Sequence, residues 1–198
     1  MIVLGLTGSI GMGKSTAAGI FRRLGAPVFD ADRCVHDLYE GPVADVLDSA
    51  FPGVKKQGRV DRNALAARIL NDPAAMARLE SLIHPLVLEK RQEFLARMRR
   101  RGARLVVLDV PLLFETGSER DVDAIVVVSA SAPVQRARVL DRPGMSDDKL
   151  AAILARQVPD AAKRRFSHFI VQTDRGLPAA ERQIQSILAA LGPCDPGR

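Results

Sequence analysis

Gly8-Ser9-Ile10-Gly11-Met12-Gly13-Lys14-Ser15 governs how the rest of the chain is interpreted. It follows an apolar run, residues 2–6, and leads into a stretch with helical spacing that Gly25 stops. The octet fits G-x-x-x-x-G-K-[ST], the pattern of a loop that encloses a polyphosphate. Backbone N–H groups must surround the anion closely, so side chains have to be absent where the chain wraps. Gly8 and Gly13 meet that need, and Gly11 adds freedom between them. A helix starting near Lys14 aims its positive end at the phosphates. The Lys14 ammonium reaches the β- and γ-phosphates, and the Ser15 hydroxyl is a ligand for Mg²⁺. The spacing predicts a nucleotide site.

Outward from this loop, short apolar runs alternate with helical ones. Ile20, Phe21 and Leu24 share one side of the helix after the loop. "PVFDAD" from Pro27 reads as a second strand, residues 104–110 and 124–130 as the clearest buried strands, and residues 169–173 as a fifth. Uninterrupted apolar strands are buried on both faces, as in a parallel sheet covered by helices, so the core is predicted to be α/β. Two helical stretches exceed a simple crossover: about 33–103, and about 131–168, a candidate lid. One domain is expected over 1–192, and the tail 193–198 is expected to be disordered.

Bulk composition narrows the class. Of 198 residues, 47% are hydrophobic and 26% charged, as in a soluble globular protein. No apolar run is long enough to span a bilayer and no signal peptide precedes the first strand, so a cytoplasmic protein without a membrane partner is expected. Cys34 and Cys194 lie outside any CxxC pattern, and His36, His84 and His168 form no spaced metal set. A net charge of +6 suits an anionic partner, nucleic acid or a phosphorylated small molecule. The basic block at residues 97–104 has no interleaved aromatics, which favours a solvated helix end over nucleic-acid binding.

Acids at strand ends supply the candidate chemistry. Asp109 falls at the carboxyl end of a buried strand, where it either holds Mg²⁺ or caps the turn before Pro111. Glu115 orients a basic group or a substrate hydroxyl, or is a surface acid. Asp30 and Asp32 end the second strand; taken as extended, i and i+2 share a face, so both would point into the cleft, one of them a proton acceptor for the attacking hydroxyl. The alternative is capping of the next helix. Arg136, Arg138 and Arg142 precede a Pro-Gly turn, and Ser146 with Asp147 and Asp148 opens a helix. Forked, permanently charged arginines there suit a developing phosphoryl charge.

Taken in order, "LTGSIGMGKST", "DAD" at 30–32, "DRNALAARILNDPAAMARLESLIHPLV", "VLDVPLLFE" ending at Glu115, and the run from Arg136 to Gln157 resemble the dephospho-coenzyme A kinases. The resemblance covers residues 2–191. It implies a three-layer P-loop kinase fold, with a five-stranded parallel core sheet, a helical coenzyme-binding insert and a lid. It implies transfer of the γ-phosphoryl of ATP to the ribose 3′-hydroxyl of dephospho-coenzyme A, with Mg²⁺, by a monomer or weak oligomer that needs no nucleic acid. It also implies that Gly11, Met12, Gly13, Lys14, Ser15 and Thr16, with Gly8, bind ATP phosphates. Asp32 would be the general base, Arg142 the lid arginine, and Asp30, His84 and Glu115 would lie toward the acceptor. His84 sits on the family's His-Pro position, equally readable as packing at a helix start. A nucleoside or nucleotide kinase of the same fold is the alternative, and a basic nucleic-acid-binding regulator a remoter one. The chain departs from the family's usual pattern at Ser167-His168, where Ala-Asp is common, at Gln172-Thr173, where Asp-Asn is common, and at Arg142-Pro143.

Overall fold

A computed structural model describes residues 1–41, 43–70 and 72–192; the tail expected to be disordered lies outside the described residues. In chain order, β1 (Ile2–Thr7) leads to α1 (Lys14–Arg23) and β2 (Val28–Asp30). Then come α2 (Ala31–Tyr39), α3 (Val43–Ala50), a hairpin of β3 (Lys55–Lys56) and β4 (Arg59–Val60), α4 (Arg62–Ile69) and α5 (Pro73–Arg100). The chain continues through β5 (Leu105–Asp109), β6 (Ala124–Ser129), α6 (Ala132–Leu140), α7 (Asp147–Leu154), α8 (Asp160–Arg165), β7 (Phe169–Gln172) and α9 (Leu177–Leu191).

The main sheet has five strands in the order β2-β5-β1-β6-β7, the fold class expected from the sequence. β1 pairs in parallel with both β5 and β6, and β6 with β7. Every residue of β5 and β6 is buried, because other segments of the chain cover both faces. On one face Leu4, Leu6, Val126 and Val128 meet Ile20 and Phe21 of α1 and Ile184 and Leu188 of α9. On the other, Ile125 and Val127 pack with Leu113 and Phe114. Each fully buried Val or Ile contributes roughly 1.5–3 kcal/mol, so this aliphatic core holds the sheet without tryptophan.

Side chains in the strand-leading loops extend the sheet at its amino edge. Asp123 Oδ2 accepts from Val3 N–H at 2.7 Å, and His168 Nδ1 accepts from Ile125 N–H at 3.2 Å. Each residue precedes its own strand and satisfies a donor on a neighbouring one.

The chain divides into two compact units, Met1–Phe29 with Arg97–Arg198, and Asp30–Ala96. The second unit has its own core of Val43, Leu47, Phe51, Val54, Val60, Leu65, Leu79 and Ile83. Its hairpin turns through Gln57 (φ 50°) and Gly58 (φ 80°), the primed geometry that matches strand twist. Strands of two residues are too short to show alternation, so sequence analysis had no signal for them.

Two local expectations are corrected. β2 stops at Asp30 and α2 begins at Ala31, so Asp32 is in a helical first turn and does not share an extended face with Asp30. The Asp30 side chain accepts from Arg33 N–H at 3.0 Å, and that N-cap closes the strand two residues early. His84 is exposed in the middle of α5 and not at a helix start. Pro85 lies inside this helix of 28 residues. Buried Leu79 and Ile83 before it, and Phe94, Leu95 and Met98 after it, outweigh the ~3 kcal/mol cost of an interior proline.

Candidate active site

The register brings the chemistry-bearing residues to the carboxyl edge of the sheet: Leu6 lies opposite Asp109, and Ser129 opposite Gln172. The phosphate-loop octet leaves the end of β1, the central strand. From there the chain reaches β5 on one side and β6 on the other, the reversal where open α/β sheets bind ligands.

Close packing dictates the loop's glycines. A Cβ on Gly8 would lie 2.7 Å from the Val128 carbonyl oxygen. Gly11 has φ 76°, and a Cβ there would lie 2.6 Å from Val139 Cγ2. Gly13, at φ 88°, is the N-cap of α1 and offers no side-chain acceptor to the helix's first amides. No acid stands in that first turn, and Ser15 and Thr16 are exposed on it. Unclaimed N–H groups at a helix start, without a carboxylate to occupy them, form an anion site. Lys14 Nζ donates to Asp109 Oδ1 at 2.8 Å, and Asp109 is only 2% exposed.

Residues far along the chain brace the loop. Met12 Sδ accepts from Ala130 N–H, and Met12 O accepts from Thr173 Oγ1 at 2.8 Å. Arg138 donates to Thr173 Oγ1 at 2.9 Å and to Thr173 O at 2.8 Å. Ile10, in the middle of the octet, is held by both backbone groups: its N–H donates to Gln157 Oε1 at 3.1 Å, and its carbonyl accepts from Gln135 Nε2 at 2.7 Å. Sequence reasoning missed Gln135, Gln157 and Thr173 as site residues. A glutamine more than a hundred positions away carries no periodic or spaced signal.

Arg136, Arg138 and Arg142, the arginines of the expected lid, separate by partner. Arg136 grips Asp147 with two bonds, at 2.7 and 2.6 Å, which raises the pKa of the guanidinium and lowers that of the carboxyl. Arg138 belongs to the loop brace. Arg142 is exposed just after α6, and among the described residues no acid pairs with it. Glu115 turns inward: its Oε1 lies 2.9 Å from Lys163 Nζ and accepts from Val158 N–H at 2.8 Å. In the second unit, Asp30 caps α2, while Asp32 and His84 are exposed.

A family profile described as dephospho-CoA kinase matches residues 2–179. The chain belongs to the dephospho-CoA kinase family. A Rhodopseudomonas palustris protein named dephospho-CoA kinase is 55% identical over 96% of both chains. A crystal structure from Thermus thermophilus superposes with a TM-score of 0.84 at 34% identity, covering 96% of this chain and 98% of that one. The Campylobacter jejuni dephospho-CoA kinase, at 21% identity and TM-score 0.69 over 96% and 97%, shares the fold. Ser167-His168 and Gln172-Thr173, the pairs set apart in the sequence, lie at opposite ends of β7. His168 precedes β7 and lies at the amino edge, away from the loop, whereas Thr173 follows β7 and touches it.

Among the described residues no group of three or more His, Cys, Asp or Glu could hold a metal ion, and no helix is long and apolar enough to cross a membrane. Mg²⁺ bound with a nucleotide takes one or two protein oxygens and completes its shell with phosphates and water. Ser15 and Asp109 are hard oxygen donors of that kind.

Proposed function

We propose that the protein transfers the γ-phosphoryl group of ATP to the ribose 3′-hydroxyl of dephospho-coenzyme A, giving coenzyme A and ADP. Family membership carries the acceptor; the braced loop with Lys14 at the start of α1 carries the ATP site. The 3′-oxygen forms a bond to the γ-phosphorus as the bond to the β–γ bridging oxygen breaks, and ADP takes the leaving electron pair. Asp32, two residues past the end of β2, accepts the hydroxyl proton. Lys14 exchanges Asp109 for the β- and γ-phosphates, and Arg142 supplies charge to the transferring group from the lid. Ser15 and Asp109 would hold Mg²⁺, which would supply positive charge against the phosphates.

Incubation with Mg-ATP and dephospho-coenzyme A, followed by separation of the products, is expected to give stoichiometric ADP and coenzyme A. AMP, CMP and shikimate are expected to react at least a hundredfold more slowly, about the discrimination that a lost set of specific contacts gives. Preferred turnover of a nucleotide acceptor would assign the protein to another kinase activity. Asp32→Asn is expected to lower kcat by about 10²–10⁴ with little change in ATP affinity; near-normal kcat would move the base to Asp30 or water.

A further inference from the structure

Three of the four residues 157–160, which lead from the end of α7 into the start of α8, are tied to the sheet's carboxyl edge by side chains. Gln157 takes the Ile10 amide, Val158 N–H donates to Glu115, and Asp160 Oδ2 accepts from Ser129 Oγ at 2.7 Å. Glu115 therefore anchors the backbone one residue away from the glutamine that grips the phosphate loop. What fixes Glu115 is Lys163, whose side chain is 0% exposed and whose ammonium stands 2.9 Å from the same Glu115 oxygen.

A fully buried lysine is rare, because desolvating the ammonium costs several kcal/mol, and here the ammonium has the ion pair with Glu115 but no well-aligned hydrogen bond among the described residues. The pair is also absent from the anion site itself: the loop's cation is Lys14, and Lys163 is on α8. We propose that Lys163 is a positioning residue of the phosphate loop. Its charge holds the Glu115 carboxylate against Val158 N–H, this fixes Gln157, and Gln157 fixes the Ile10 peptide within the octet. The proposal rests on the assignment of that octet to ATP.

Lys163→Met keeps most of the buried volume and removes the charge; Lys163→Met with Glu115→Gln also removes the stranded carboxylate. Both are compared with Gln157→Ala by hydrogen exchange of the full chain without nucleotide, and by ATP kinetics. Each is expected to speed exchange in peptides containing Ile10 while α9 stays protected, and to raise the KM for ATP about five- to tenfold with a smaller change in kcat, the size of one lost hydrogen bond. Adding Gln157→Ala to Lys163→Met is expected to change nothing further, since both act on one contact. Exchange that quickens only over residues 158–166, or effects that simply add, would reduce Lys163 to a prop for α8 and overturn the proposal; so would failure of both Lys163 variants to fold. If the unaltered protein binds no ATP, the ATP assignment fails. If it binds ATP but loop exchange is unmoved in the variants, only this proposal does.

Discussion

The Lys14 ammonium donates to Asp109 across 2.8 Å, so the phosphate loop's own cation rests on the acid that closes β5. In the proposed reaction a phosphate would draw Lys14 off that carboxylate, one of whose oxygens would then face a metal. Lys14→Met is expected to lower kcat by about 10²–10³, as removal of one preorganised donor does. Asp109→Asn is expected to raise the Mg²⁺ concentration for half-maximal activity at fixed ATP. An unmoved titration midpoint would restrict Asp109 to holding Lys14.

Gly11 and Gly102 both have positive φ, 76° and 70°, yet their surroundings differ. An added Cβ at Gly102 meets nothing within 4 Å, whereas at Gly11 it meets Val139 and Gln135. Gly102→Ala is expected to cost about 1–2 kcal/mol from the dihedral alone. Gly11→Ala adds about 1–3 kcal/mol of overpacking and also weakens ATP binding. Denaturant unfolding of the two variants separates the contributions; equal losses would show that the loop yields at Val139.

Thr173 carries a hydroxyl that donates to Met12 O and accepts from Arg138. Thr173→Val keeps the shape and leaves Met12 O without its hydroxyl donor, while Arg138 keeps its bond to the residue 173 carbonyl, so a loss of about 1–3 kcal/mol in stability is expected, together with weaker ATP binding. Thr173→Ser keeps the hydroxyl and is expected to restore binding. Calorimetric titration with ATP distinguishes the two, and equal affinity in both variants would count against the brace.

Asp61 gives the second unit an acid-sensitive joint. The hydrogen bond from Lys56, then the N–H groups of Ala64 and Asn63, hold its pKa below the ordinary 3.8. A carboxyl with a lowered folded pKa contributes in full above its unfolded value, and the contribution disappears as pH falls through the folded one. Asp61→Ala is therefore expected to be less stable than the parent at neutral pH and to converge with it once the pH falls below the lowered folded-state pKa. Parallel unfolding curves at both pH values, with a constant gap, would show that the cap acts independently of charge.

Much of this architecture was legible from residue pattern. The runs in β1, β5 and β6 are apolar throughout because both faces are covered, and the octet announces itself because polyphosphate demands missing side chains at fixed spacing. Asp30 and Asp32 were harder, since a strand of three residues followed directly by a capped helix looks the same as a longer strand. The reading of His84 as packing at a helix start fails for a physical reason: buried side chains on both sides carry α5 through Pro85. The braces on Ile10 and Met12 come from Gln157, Gln135 and Thr173, whose roles exist only once the sheet has brought distant segments to one edge.

At the opposite edge, Asp123 and His168 do the same job with different chemistry, each lending a lone pair to a neighbouring strand's amide. What that border requires is an electron pair at a given spot; whether the group bearing it is anionic is secondary. Exchanging carboxylate for imidazole there is expected to alter the surface potential of a face remote from the phosphate loop while the acceptor for the strand amide is kept. That rim is thus a place where the enzyme can drift in charge, adapting solubility or its contacts with other molecules, without touching the chemistry on the far side.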